Sequence, residues 1–354
     1  MRIATYNVEW MNALFDADGL PLADGEWSAR YGVTRGAQLE ALGIVFTAID
    51  ADAILIVEAP SQNRHRQSVV ALENFARLFG LRQRRAIIGF ENQTEQEIAL
   101  LYDPDRLSAE HDPRGAFAGK KGGEDAPRFD GTLRIDLDID ATPDQVTFSK
   151  PPLELALRTS GGTQLRMIGV HVKSKAPHGA RSEADIMRIS IANRRKQLAQ
   201  CIWLRRRVEE HLAAGDRMIV LGDFNDGPGL DEYEELFGRS GLEIVSGWNA
   251  APELRLFDPH AQVVPTGQCA ARPPATARFF IKHKRRYHSA LLDFIMISPE
   301  LMSLRPAWRI WHPFDDEGIY ATAELRDALL TASDHFPVTL DIELDTSANP
   351  RPQL

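Results

Sequence analysis

The sequence predicts an α/β protein in which two packed β-sheets carry helices on their outer faces. Short apolar runs, most of four to eight residues and rich in Ile, Val, Leu and Phe, recur along the whole chain. Several are nearly continuously apolar, as strands covered on both faces are. Three longer stretches with helical spacing interrupt them, yet other strands follow one another directly. The sheets are therefore expected to be mixed, unlike the parallel winding of a Rossmann order.

In order, the chain opens on the strand "RIATYNV". A helix is expected after Thr34 as N-cap, where Leu39, Leu42, Phe46 and Ile49 share a face. The strand "AILIVE" follows, then a helix marked by Val69, Leu72, Ala76 and Phe79 that stops at Gly80. "AIIGF", "IALLYD", "LELALR" and "LRMIGVHV" read as strands. The longest helix starts at "SEAD", where Ser182 and Asp185 have capping-box spacing, and runs past Leu198, Cys201, Val208 and Leu212 towards Gly215. "RMIVLGDF", "LEIVS", "LLDFIMIS" and "FPVTLDIEL" complete the strands. Residues 107–131 and 247–290, interrupted by Gly, Pro and charge, read as long irregular segments of the kind that often carries function. One catalytic domain over 1–345 and a flexible tail over 346–354 are expected.

Fifty acidic against forty-one basic residues give a formal charge of −9, so no surface-wide positive field holds a long polyanion. Any such partner must be met locally, and basic runs occur at 82–85, 193–197, 203–207 and 282–286, although each also suits a solvated face. Cys201 and Cys269 make neither a disulfide framework nor a metal cluster, and Cys201 falls in a helical pattern that buries it. There is no run of eighteen apolar residues and no leader-like start, from which a cytoplasmic protein is expected. "GAFAGKK" lacks the spacing and the hydroxyl of a P-loop.

Polar residues collect at the ends of the apolar strands. Asn7 and Glu9 close the first, Glu58 the second, and His171, Lys173 and Lys175 another; Asp223, Asn225 and Asp226 follow "VLG". Asp293 stands between Leu292 and Phe294, where a carboxylate is costly to bury without a partner. Asp334 and His335 sit in "SDHFPV". Taken singly, each is ordinary turn chemistry. Together they match phosphate-ester hydrolysis, in which the charge on the phosphate repels a nucleophile and a hard divalent cation held by oxygen ligands offsets it. Asn7, Glu58 and Asp334 are candidates for that oxygen shell, Asp223 for the base that orients water, and Asn225 for a donor to the phosphate. His171 and His335 are candidate donors to phosphoryl or leaving-group oxygens, with Asp293 holding an imidazole in place.

These motifs resemble the endonuclease/exonuclease/phosphatase superfamily: "ATYNVEWM", "LIVEAP", "GVHVKSK", "LGDFND", "LLDFIMIS" and "SDHFPV" occur in its order over residues 1–345. The resemblance implies a four-layer α/β/β/α sandwich of two packed mixed β-sheets flanked by helices, with the site at one edge. It implies Mg²⁺ or Mn²⁺, attack of water on phosphorus, Glu58, Asn7 and Asp334 near the metal, and Asp223 and Asn225 at nucleophile and phosphate. It pairs Asp293 with His335 and puts His171 on the scissile phosphate. Val57 departs from the Gln that many relatives carry before the metal-binding Glu, and Glu97 is a candidate for a carboxylate that orients a histidine.

For substrate, "HVKSK" and "NVEW" resemble bacterial nuclease-like members. Lys173 and Lys175, at alternate positions, would face neighbouring phosphates, and Tyr287 in "KHKRRYH" combines stacking with cations. A nuclease on DNA or RNA is expected first. A phosphodiesterase or phosphatase on a small or lipid-derived phosphate ester comes second, and a non-catalytic phosphate-binding scaffold third.

Overall fold

The computed structural model describes residues 1–92, 94–137, 144–177, 179–228, 238–261, 274–281 and 285–345. Cys269, the first three residues of "KHKRR" and the 346–354 tail lie outside them. In chain order the elements are β1 (Arg2–Asn7), α1 (Arg35–Ile49), β2 (Ala53–Ala59), α2 (Ser68–Leu78), β3 (Arg85–Ile88) and β4 (Glu97–Tyr102). Next come β5 (Leu107–His111), β6 (Leu133–Ile135), β7 (Asp144–Val146), β8 (Leu153–Thr159), β9 (Gln164–His171), α3 (Glu183–Ala213), β10 (Met218–Asp223) and α4 (Gly241–Ser246). The chain finishes with β11 (Ala277–Ile281), β12 (Arg286–Ala290), β13 (Asp293–Ile297), β14 (Ala307–Ile310), α5 (Glu317–Ala321), α6 (Ala323–Ala332) and β15 (Val338–Asp341).

Two mixed sheets form, in the orders β14-β15-β1-β2-β4-β3 and β13-β10-β9-β8-β5. Their facing sides share a core that includes Leu55, Leu100, Leu155, Met167, Ile219, Leu221, Ile295 and Leu340. The outer side of the first sheet packs on α1, α2 and α6 through Phe46, Phe75 and Leu329. The outer side of the second packs on α3 and α4 through Trp203, Leu204 and Leu242. This is the expected α/β/β/α sandwich. The near-continuous apolarity of β2 and β10 follows from it, because both faces of each strand are covered.

The three expected helices form where their patterns place them. Thr34 and Ser182 accept hydrogen bonds from the N–H groups of Ala37 and Asp185, and Gly80 and Gly215 take left-handed φ just past the helix ends. Cys201 is buried. "LEIVS" is not a strand but the helix α4. Ser240 and Glu243 close a reciprocal capping box there, and Gly247 ends it in the left-handed region, so local caps override the strand-like Ile and Val. The segment from 107 is not wholly irregular either. Its first five residues are the edge strand β5, whose alternating burial hid it among polar residues. Within 247–290, β11 and β12 form a separate two-stranded ribbon.

Candidate active site

Half of the site is set by register in the second sheet. His171 stands beside Asp223 in the parallel pairing of β9 with β10, and Asp223 beside Asp293 in the antiparallel pairing of β10 with β13. Three chemistry-bearing residues distant in sequence thereby form a row. Gly222 permits the close approach: its φ is +135°, and a Cβ there would lie 2.1 Å from Val170 O. The other half comes from the first sheet. Asn7 ends β1 beside Val57, and Glu58 is the extra residue of a bulge in the β2–β4 pairing, with φ of 63°. A bulge re-aims a side chain out of the alternation, which carries Glu58 towards the strand ends.

Asp223 is the hub. Its Oδ1 accepts from Asn225 N–H at 2.8 Å, and its Oδ2 accepts from Asn7 Nδ2 at 3.1 Å and Asn225 Nδ2 at 3.3 Å. His171 Nε2 and His335 Nε2 lie 3.7 and 4.0 Å from Oδ2. Burial raises the Asp223 carboxyl above the usual range, with His335 opposing and Asp293 adding to the rise. His335 Nδ1 meets Asp293 Oδ2 at 2.8 Å. Burial alone would push that imidazole down, but the charges of Asp293 and Asp223 outweigh it and hold His335 well above its ordinary value.

His171 is the opposite case. Burial and then the charge of Lys150 hold it well below the ordinary value, and Lys150 Nζ lies 3.1 Å from its Nδ1. An ammonium donating to Nδ1 leaves the ring proton on Nε2, the nitrogen that faces Asp223. Lys150 also bonds the Gln96 side chain, and burial lowers its own value against the pull of Glu58 and Asp223. Glu97 is not the partner of either histidine; its carboxylate accepts from the N–H groups of Gln62 and Asn92.

The corner itself is fixed by Ser333, which donates to Asn7 O at 2.7 Å and accepts from His335 N–H at 3.0 Å. From α3, Gln197 Nε2 donates to Phe224 O and Asn225 O at 3.2 and 3.0 Å, holding the turn after Asp223. Among the described residues eight non-glycine positions have positive φ, and Glu9, Trp10, Glu58, Gln96 and Asn225 are five of them. Backbone strain of about 1–3 kcal/mol per residue is thus gathered at one edge of the sandwich.

A divalent cation fits one side of this edge. Glu58 accepts one hydrogen bond, from Trp10 N–H at 2.9 Å, and burial raises its carboxyl against the opposing charge of Lys150. Asp334 adds negative charge within reach of Glu58. Carboxylates short of partners, beside the amide oxygen of Asn7, are the donor set of a hard ion. Asp223, Asp293 and His335 also lie close enough to share an ion. Within that trio, however, His335 Nδ1 is already engaged by Asp293 Oδ2 at 2.8 Å.

With this geometry in hand, a family model described as Endonuclease/Exonuclease/phosphatase family matches residues 4–335. The chain belongs to that family. Among solved structures it is similar to an AP endonuclease from Archaeoglobus fulgidus, at 11% identity and a TM-score of 0.51, with 97% of this chain and 99% of that one covered. It is also similar to a 3′ phosphatase from Neisseria bound to product DNA hairpin, at 16% identity and a TM-score of 0.46, over 97% and 99% of the two chains. A family protein from Bacteroides thetaiotaomicron is similar at 14% identity and a TM-score of 0.47, over 96% of each chain. No curated protein matches the chain significantly. Membership of the endonuclease/exonuclease/phosphatase family supports a phosphoric ester hydrolase, and enzymes of the family are typically dependent on divalent metal.

Of the residues singled out in the sequence, Asn7, Glu58, His171, Asp223, Asn225, Asp293, Asp334 and His335 meet at this edge of the family fold. Lys173 is half-buried near Lys150 and His171. Lys175 does not share its direction: β9 ends at His171, and Lys175 Nζ ion-pairs with the buried Asp226 at 2.9 Å. Tyr287 is exposed on β12. Lys150 was missed. Its only sequence signal is a lysine set before Pro151-Pro152 at the start of a buried strand.

Proposed function

We propose that the protein is a divalent-metal-dependent phosphodiester hydrolase that acts on nucleic acid. The observation that carries this reading is the buried Asp223, held by two amides and faced by two imidazole Nε2 atoms, beside the under-partnered Glu58 and Asp334. Glu58, Asp334 and Asn7 would hold Mg²⁺ or Mn²⁺, which when bound supplies charge neutralisation at the phosphate. Asp223, raised towards neutral pH, orients water and takes its proton. His171, neutral and protonated on Nε2, donates to a phosphoryl oxygen. His335, held towards its cationic form by Asp293, stabilises charge on the phosphoryl and leaving oxygens as the ester P–O bond breaks, and Asn225 adds donors. Lys150 and Lys173 supply positive charge on the flank. Nucleic acid is favoured over a lipid ester by the cationic and aromatic ribbon beside the catalytic corner.

The test is hydrolysis of single- and double-stranded DNA, RNA and a chromogenic phosphodiester with Mg²⁺, Mn²⁺ or chelator, alongside Asp223→Asn. Metal-dependent cleavage of polynucleotide that falls by about 10²–10⁴ in the variant is expected. Turnover of the small diester alone would move the substrate to small or lipid esters. Binding without turnover in any metal would leave a scaffold.

A further inference from the structure

The β11–β12 ribbon grows out of the catalytic corner. Thr276 Oγ1 accepts from the N–H groups of Leu292 and Asp293 at 2.9 and 3.0 Å, Arg278 N–H donates to Asp334 O at 2.7 Å, and Phe336 N–H donates to Thr276 O at 2.6 Å. Ala277 forms a bridge with His335. Beyond this root the register pairs Arg278 with Ser289 and Phe280 with Tyr287, so these four side chains share one face. Phe280 and Tyr287 pack edge to face at 5.3 Å, and the Arg278 guanidinium lies 3.7 Å from the Tyr287 ring and 5.4 Å from that of Phe314. These rings nonetheless stay open to solvent: Phe280 is 50%, Tyr287 56% and Phe314 41% exposed.

Large rings left exposed together, next to a catalytic edge, need an occupant. Three features choose it. The cation on this face, Arg278, suits a polyanion on a chain whose net charge of −9 otherwise repels one. The face is continuous with the site, since Tyr287 lies within electrostatic reach of Arg30, which pairs with Glu9, the acceptor for Asp334 N–H. Flat rings alternating with guanidinium offer π-faces to any base, whereas bases inside a duplex are already stacked on one another.

We propose that this face of the ribbon is a base-stacking platform that selects unpaired nucleotides next to the scissile phosphodiester, so that the substrate is single-stranded nucleic acid or a single-stranded end. This rests on the nuclease reading, and binding separates the two. Anisotropy of a fluorescent oligo-dT, measured in chelator so that no cleavage occurs, reads the platform alone. Phe280→Ala and Tyr287→Leu should each weaken that binding by about five-fold or more, with an unchanged melting temperature, while affinity for a blunt duplex stays as it was. In Mg²⁺ the same variants should raise KM for the single strand and spare kcat. Binding that responds to the variants without hydrolysis in any metal would remove the nuclease reading and keep the platform. Cleavage of single strands with unaltered affinity in both variants would overturn the platform. So would self-association, measured by sedimentation, that is lost in the variants while oligonucleotide affinity is retained.

Discussion

The two ends of β2 bury carboxylates to opposite effect. At its start, Asp52 is fully buried and met on every side: Arg2 N–H donates at 2.6 Å, Arg82 Nη1 lies 2.8 Å away and Arg106 Nε 3.4 Å away. At its far end Glu58 accepts one backbone N–H, sits in strained backbone on a bulge, and is raised by burial, which outweighs the opposing charge of Lys150, a lysine bonded to Gln96 and His171. One strand thus carries a closed ion cluster and an open one. The difference separates structure from function: a carboxylate whose charge is answered within the fold stabilises it, and one left unanswered is kept for something that arrives.

The sharpest way to break that contrast is to neutralise each end. Glu58→Gln should lower metal-dependent turnover by at least about a hundredfold, because even indirect losses around a metal cost 10- to 100-fold. Yet it should leave the protein as stable as before in chelator, or more stable. Asp52→Asn should do the reverse and cost about 1–3 kcal/mol in urea unfolding, since it removes the charged acceptor from Arg82 and Arg106. Turnover per folded molecule should be retained. Loss of stability in the Glu58 variant or loss of turnover in the Asp52 variant would abolish the distinction.

Much of this was legible in the sequence because it is local. Thr34, Ser182 and Gly80 mark helix ends by capping chemistry that acts within a few residues, and Glu58 and Asp223 interrupt apolar strands that otherwise forbid charge. What was hidden depends on register or on neighbours distant in sequence. α6 was missed because its apolar face, Ala328, Leu329 and Ala332, is mostly alanine and is defined by packing on α1 and its surroundings. Lys175 looked available beside Lys173 until Asp226, fifty-one residues on, took it. Lys150 reaches His171 only because β8 pairs with β9.

A smaller effect tests whether Lys150 belongs to the open end as more than filler. Lys150→Met removes the ammonium from His171 Nδ1 while keeping the stem. Turnover should fall by about ten- to a hundredfold, the range of a lost orienting contact. Lys150→Arg should recover part of the loss, because a guanidinium also donates to Nδ1. Equal activity in all three proteins would assign the tautomer of His171 to something else.

A last test asks how far the unanswered charge extends from Glu58. Glu97 opens β4 opposite Ala59, and burial raises its carboxyl from 4.5 to about 7, although Gln62 and Asn92 N–H groups oppose the rise. Across that interval the unfolded chain has released a proton that the folded chain still holds, so the folded state binds more protons and stability falls as pH rises. The penalty is absent below about pH 4.5 and complete above about pH 7. Glu97→Gln escapes it. The variant's unfolding free energy minus that of the parent should therefore climb between those limits by about 3 kcal/mol and be flat outside them, other titrations cancelling in the difference. Urea unfolding at a series of pH values measures this directly. A difference that does not vary with pH would mean that Glu97 ionises as freely as a surface carboxylate, and would confine the unanswered charge to the residues that face the substrate.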